Sequence, residues 1–150
     1  MARTLSSLLM HIVFGTKDRT PLISSDLAER LWPYMGGIVR NLKGKAIVVG
    51  GMPDHVHMLI ELPPAVSAAD AVRTIKANSS RWVREGADMR SKFAWQSGYA
   101  AFSVSRSNCD AVAKYIREQE DHHRKVGFKE EFLSFLKKHR VDYDERVIWT

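Results

Sequence analysis

The sharpest local pattern in the chain is His55-Val56-His57. His55 to Leu62 alternates as a strand does, and strand side chains repeat every second residue, so both imidazoles point to one face. Leu59 and Glu61 share that face, while Val56, Met58, Ile60 and Leu62 make an apolar stripe on the other. Two imidazoles side by side can reach one divalent cation. They can also be two partly buried histidines satisfied by hydrogen bonds, and so short a motif does not by itself separate the two cases. Other chemistries drop out. A histidine-triad nucleotide hydrolase needs a third histidine where Leu59 stands. A two-histidine phosphoesterase needs His-x-Thr or His-x-Ser twice, and no such pair occurs. A closed zinc site needs more thiolates than the single Cys109 offers.

A second pattern lies on the helix expected from Asn108 to Lys125. Tyr115 and Gln119 stand one turn apart on one face, and His122 continues it. Tyrosine can act as a covalent nucleophile. With an ordinary pKa near 10, only about a thousandth is ionised at neutral pH, so it needs activation. A metal ion that polarises a target phosphate supplies electrophilic help, and the Gln119 oxygen could complete a site begun by His55 and His57. The plain alternative is a half-buried aromatic on an amphipathic helix. Tyr99 and Tyr143 are weaker candidates, because neither sits on a capped helix with a polar side chain one turn on.

Cations form the third group. Arg73, Lys76, Arg81 and Arg84 decorate the helix that follows Ser67, and Lys17 and Arg19 follow the first strand. Such groups bind phosphates in a salt-dependent way, or simply keep a helix face in water. The net charge of +6 favours a polyanionic partner. Trp82, Trp95 and Tyr99 can stack on unpaired bases or pack in the core.

These residues need elements to hold them. Leu5 to Phe14 reads as a strand. Asp26 to Leu42 has helical periodicity, with Pro33 predicting a kink or a start nearer the proline. Ala46 to Val49 reads as a strand ended by Gly50-Gly51. It forms a hairpin with the histidine strand through Met52-Pro53-Asp54. Ser67 and Asp70 make a capping box for a helix closed by Glu85-Gly86. Tyr99 to Ser105 alternates as a fourth strand. Ser107-Asn108-Cys109-Asp110 predicts another capping box. Lys129 to His139 makes a last helix with Phe132, Phe135 and Leu136 inward, and Trp149 points to a packed tail. The fold class is α+β: a ferredoxin-like antiparallel sheet in the order β-α-β-β-α-β, followed by C-terminal helices that carry Tyr115. The 150 residues fit one domain, 1–150. The single cysteine fits a reducing cytoplasm, and no apolar run reaches the roughly 18 to 20 residues that span a bilayer.

Together the two motifs resemble a known family. Pro53-Asp54-His55-Val56-His57 looks like the His-hydrophobic-His motif of the HUH endonucleases. Lys114-Tyr115-Ile116-Arg117-Glu118-Gln119 looks like the tyrosine motif of the single-tyrosine HUH transposases, found in the smallest insertion sequences and their REP-associated relatives. His11-Ile12-Val13-Phe14, Lys76-Ala77-Asn78-Ser79-Ser80 and Trp95-Gln96-Ser97-Gly98-Tyr99 also look familial, so the likeness spans about Leu5 to Tyr143. The resemblance implies that Tyr115 attacks a phosphodiester in single-stranded DNA, leaving a 5′-phosphotyrosine and a free 3′-hydroxyl, and that a second strand's 3′-hydroxyl reverses the reaction without ATP. It implies Mg2+ or Mn2+ held by His55, His57 and Gln119. It further implies DNA hairpins at element ends as substrate and a homodimer as the working form. Two alternatives remain open on the residues alone: a silent single-strand-binding module, and a metal phosphodiesterase without a covalent intermediate.

Overall fold

The computed structural model describes residues 3–88 and 92–150. Four strands, β1 (Leu9–Gly15), β2 (Lys45–Met52), β3 (His55–Glu61) and β4 (Ala100–Val104), form one sheet in the order β2-β3-β1-β4. Every neighbouring pair is antiparallel. Helix α1 (Ser25–Asn41) joins β1 to β2 and α2 (Ala68–Trp82) joins β3 to β4, which is the ferredoxin-like connection the sequence predicts. Three more helices follow: α3 (Cys109–Arg117), α4 (Gln119–His123) and α5 (Phe128–Lys138).

The two faces of the sheet bury different sets. Ile12, Phe14, Val56, Met58 and Ile60 pack against α1 and α2 residues such as Leu31, Met35, Val72 and Ile75. On the other face Val13, Ala100 and Phe102 meet Phe128, Phe132 and Leu136 of α5, and Leu59 meets Ala113 and Ile116 of α3. Burying each of the large α5 side chains stabilises its docking by about 1.5–3 kcal/mol. Because helices cover both faces, β3 is buried from His55 to Ile60, and the period-two alternation does not mark a solvent face.

Several local expectations need correction. Helix α1 begins at Ser25, well before Pro33, with the Ser24 hydroxyl accepting from the Leu27 amide at 3.1 Å. Pro33 lies on the exposed side, where water can solvate the carbonyl that lacks its N–H partner. Strand β2 does not end at Gly50-Gly51 but runs through both to Met52. A Cβ on Gly50 would stand 3.1 Å from the Ile116 carbonyl oxygen, so the glycine is what lets the α3 backbone approach the sheet. Ser67 caps α2 by accepting from the Asp70 amide, but the Asp70 carboxylate pairs with Arg73 and does not reach back. The helix beyond β4 is two helices, not one. The chain leaves helical geometry at Glu118 (φ −98°, ψ 23°), and Asn108 makes no side-chain cap. The tail closes over α5, with Trp149 against Phe128 and Phe132.

Candidate active site

His55 and His57 do share one face of β3, and that face lies beneath α3, α4 and α5. Val13 of β1 is the cross-strand partner of His57. The break at Glu118 turns α4 down toward the strand and buries Gln119. Its side-chain oxygen accepts from or faces His55 Nε2 at 3.1 Å and His123 Nε2 at 2.9 Å. Tyr115, half-buried on α3, directs its hydroxyl to the Glu131 carboxylate. Glu131 Oε1 in turn stands 2.8 Å from His57 Nε2 and 3.4 Å from His55 Nε2. The predicted nucleophile and all three predicted ligands are thus within one network, and Tyr115 reaches it within its own chain. Tyr99 and Tyr143 lie elsewhere, at the edge of the α2 groove and in the tail.

Sequence reasoning missed four members of this network. Asp54 Oδ1 accepts from His55 Nδ1 at 2.7 Å. His11, on β1, places Nε2 2.8 Å from His57 Nδ1, with its ring stacked on His57. His123 faces Gln119, and its Nε2 is 3.3 Å from Glu131 Oε2. Glu131 is only 2% exposed. A signal for Glu131 exists: Phe128, Glu131, Phe132, Phe135 and Leu136 fall on one stripe of α5, so a carboxylate interrupts an otherwise apolar face. His122 continues the Tyr115 face as its spacing indicates, with the two rings 4.9 Å apart. No sequence pattern places His11, because that contact depends on the β1–β3 register.

Electrostatics follow from this burial. Burial opposes ionisation of Glu131, yet hydrogen bonds from His123, His55 and His57 outweigh it and hold the carboxyl far below the usual range. Burial also pushes the Tyr115 hydroxyl well up, and the Glu131 carboxylate adds to that. Burial and neighbouring His57 drop His11 to about 3, so it is neutral. Burial likewise lowers His57. Burial pushes His55 down, but the Asp54 and Glu131 carboxylates raise it by more.

The donor set fits a divalent cation. With Nδ1–H given to Asp54, His55 aims Nε2 at two oxygens, those of Gln119 and Glu131. Two lone-pair surfaces facing a third are repulsive unless a proton or a metal ion lies between them. The Asp54–His55 pair is the carboxylate–histidine arrangement that orients metal-bound imidazoles, and His11 stands in the same relation to His57. One ligand atom from each of His55, His57, His123 and Glu131 lies within 4.8 Å of the others.

The predicted phosphate-binding cations divide into groups. Arg73, Lys76 and Arg84 border one groove of about 400 Å³ with Ser80 and Tyr99, on the α2 side of the sheet. Lys76 is turned inward there, its ammonium donating to the carbonyls of Gln96, Ser97 and Gly98 at 2.5–3.1 Å. Burial lowers its pKa to about 8. Arg84 donates to the Phe93 carbonyl, and Arg81 to the Asn78 side chain outside the groove lining. Lys17 and Arg19 sit in an exposed turn after β1, with Arg19 over the Trp149 ring. A separate cleft of about 420 Å³ opens beside Tyr115, between α3 and α5, and includes His122, Ser134 and Lys138.

The chain is similar to known proteins in sequence and in fold. Residues 4–119 match the family described as IS200-like transposases. The ISDra2 transposase TnpA of Deinococcus radiodurans is 26% identical over 116 residues, covering 74% of this chain and 83% of that protein. The transposase of insertion sequence IS200 from Salmonella typhimurium is 27% identical over 128 residues, covering 79% and 81%. The solved structure of a REP-associated tyrosine transposase bound to a REP hairpin has the same fold, with a TM-score of 0.61 at 15% identity, over 84% of this chain and 74% of that one.

Proposed function

This chain belongs to the IS200-like transposase family, and from that premise we propose that it cuts and rejoins single-stranded DNA by tyrosine transesterification. The observation that carries the reading is the shared carboxylate: Glu131 receives the Tyr115 hydroxyl on one oxygen and stands 2.8 Å from His57 Nε2 on the other. Tyr115 oxygen forms a bond to the phosphorus while the bond from phosphorus to the 3′-oxygen breaks. The tyrosine proton is given up, the 3′-oxygen gains one, and the product is a 5′-phosphotyrosine with a free 3′-hydroxyl. Attack by another 3′-hydroxyl reverses the step and joins new ends. Each exchange conserves the phosphodiester energy, so no nucleotide cofactor is needed.

His55, His57 and Gln119 hold Mg2+ or Mn2+ in this reading, and the ion when bound polarises the scissile phosphate. Asp54 and His11 orient the two imidazoles. The cleft beside Tyr115, with Lys138 and His122 on its walls, admits the phosphodiester. Arg73, Arg84, Arg81, Lys17 and Arg19 bind phosphates outside the centre, and Lys76 supports the groove from within. The substrate is the hairpin-bearing end of a mobile element, by analogy with the hairpin-bound relative. Residues 1–150 act as one domain, the working form is a homodimer, and the setting is the cytoplasm. Among the described residues no helix is long and apolar enough to cross a membrane.

A covalent-adduct assay tests the reading. Wild type and Tyr115→Phe are incubated with labelled single-stranded DNA from the element ends and Mn2+, then run on a denaturing gel. A protein–DNA band that needs both Tyr115 and the metal is expected. Cutting without an adduct would replace the tyrosine mechanism with a hydrolytic phosphodiesterase, and binding without cutting would leave a silent module.

A further inference from the structure

The family match ends at residue 119, yet the buried carboxylate at the centre of the network comes from α5, beyond it. We propose that Glu131 is itself a metal ligand, adding an anionic oxygen to His55, His57 and Gln119. The inference rests on the reading of the two histidines as a metal site.

Three observations carry it. First, spacing: Glu131 Oε1 is 2.8 Å from His57 Nε2 and 3.4 Å from His55 Nε2, and Gln119 Oε1 is 3.1 Å from His55 Nε2. Neighbouring ligands around an octahedral ion with bonds of about 2.1 Å stand about 3.0 Å apart, so these atoms are already spaced as a partial shell. Second, position: Glu131 occupies the inward stripe of α5 between Phe128 and Phe132 and is buried. A carboxylate is retained in such a place when cations or full hydrogen bonding compensate it. Its histidine neighbours compensate it only by turning protons toward it, and His55 already gives Nδ1–H to Asp54. A cation among the three side chains relieves all of them at once. Third, the carboxylate has two ends. Oε1 faces the histidines while Oε2 takes the Tyr115 hydroxyl and the Gln119 amide. The same group therefore fixes the nucleophile's place relative to the metal ligands.

Two consequences follow. The pair of imidazoles with a carboxamide is a neutral set, and Glu131 makes it anionic and harder, which suits Mg2+ and Mn2+. His123 Nε2, 2.9 Å from Gln119 Oε1 and 3.3 Å from Glu131 Oε2, steadies both oxygens.

Calorimetric titration of the full chain with Mn2+, without DNA, tests the proposal. Wild type, Glu131→Gln and His57→Ala are compared. Glu131→Gln is expected to weaken binding by at least about tenfold, on the scale known for altered metal surroundings, and His57→Ala to remove it. Wild-type affinity in Glu131→Gln overturns the role of Glu131 and leaves the histidine site standing. Failure of the wild type to bind Mn2+ overturns both, whereas the adduct assay judges Tyr115 independently. Should Glu131→Gln fail to fold, a crystal structure of the wild type with Mn2+ decides. An ion within about 2.5 Å of the Glu131 carboxylate supports the proposal; an ion on His55, His57 and Gln119 with Glu131 turned away overturns it.

Discussion

Replacing His11 by Phe isolates one contact of the proposed metal centre. His11 is buried on β1, its ring stacks on His57 at 5.0 Å, and it packs edge-on against Phe102 and Phe135. A phenyl ring fits these neighbours, and because His11 is held neutral at about 3 the change removes no charge at working pH. What disappears is the partner of His57 Nδ1, now 2.8 Å away. An orphaned buried polar atom costs about 1–3 kcal/mol, partly offset by burying a phenyl ring in place of a polar one. A net loss of about 1 kcal/mol lowers Tm by about 2–4 °C in a chain of this size. The larger effect falls on the metal. Metal binding at Nε2 requires the His57 proton on Nδ1, and without His11 nothing accepts it there. Loss of such an orienting partner typically costs 10–100-fold in affinity, about 1.4–2.7 kcal/mol. The assay is Mn2+ calorimetry with thermal melting, then the adduct assay at increasing Mn2+. Weaker binding with adduct recovery at high metal is the expected outcome. Unchanged Mn2+ affinity in a folded His11→Phe protein would refute the orienting role.

Other predictions follow the same geometry. Lys76→Met should lower stability by about 2 kcal/mol, since a charged donor to three carbonyls is lost. Arg73→Ala, exposed and among the described residues paired only with Asp70, should leave stability within about 0.5 kcal/mol. It should still reduce the salt slope of DNA binding by about one, and an unchanged slope would remove α2 from the DNA surface. Glu131 is held below its unfolded pKa, so its ionised form favours the fold: that stability is present above about pH 4.5 and is lost as pH falls further. Metal-free wild type should therefore lose Tm faster than Glu131→Gln between about pH 5 and 3, and parallel melting curves would count against the pairing. Gly50→Ala should cost about 1–3 kcal/mol by pushing α3 off β2, and should cut adduct yield. Gly127→Ala, with open space around it, serves as the control, and equal effects of the two would show that the close approach at Gly50 is unimportant.

Local pattern alone reaches the order of the elements and both motifs. Period-two alternation put His55 and His57 on one face, one-turn spacing paired Tyr115 with Gln119 although the helix breaks between them at Glu118, and Ser67 marks a helix start that short-range geometry dictates. Where a local rule met a tertiary contact, the contact prevailed. Glycines that should end β2 continue it, Gly50 with the Ile116 backbone packed onto it and Gly51 against the His55 backbone, and Pro33 is tolerated because its side of α1 is wet. Completion of the centre rests on long-range contacts. His57 and Glu131 are 74 residues apart, and His55 and Gln119 are 64 apart. Their meeting depends on the break at Glu118 and on α5 folding over the sheet. The His11–His57 contact depends on strand register. Spacing rules reach about one or two turns along a chain, because beyond that the backbone's freedom erases any fixed geometry. Packing restores it: α5 closes its apolar stripe over β4 and β1, and the carboxylate that interrupts the stripe meets Tyr115 and the histidines.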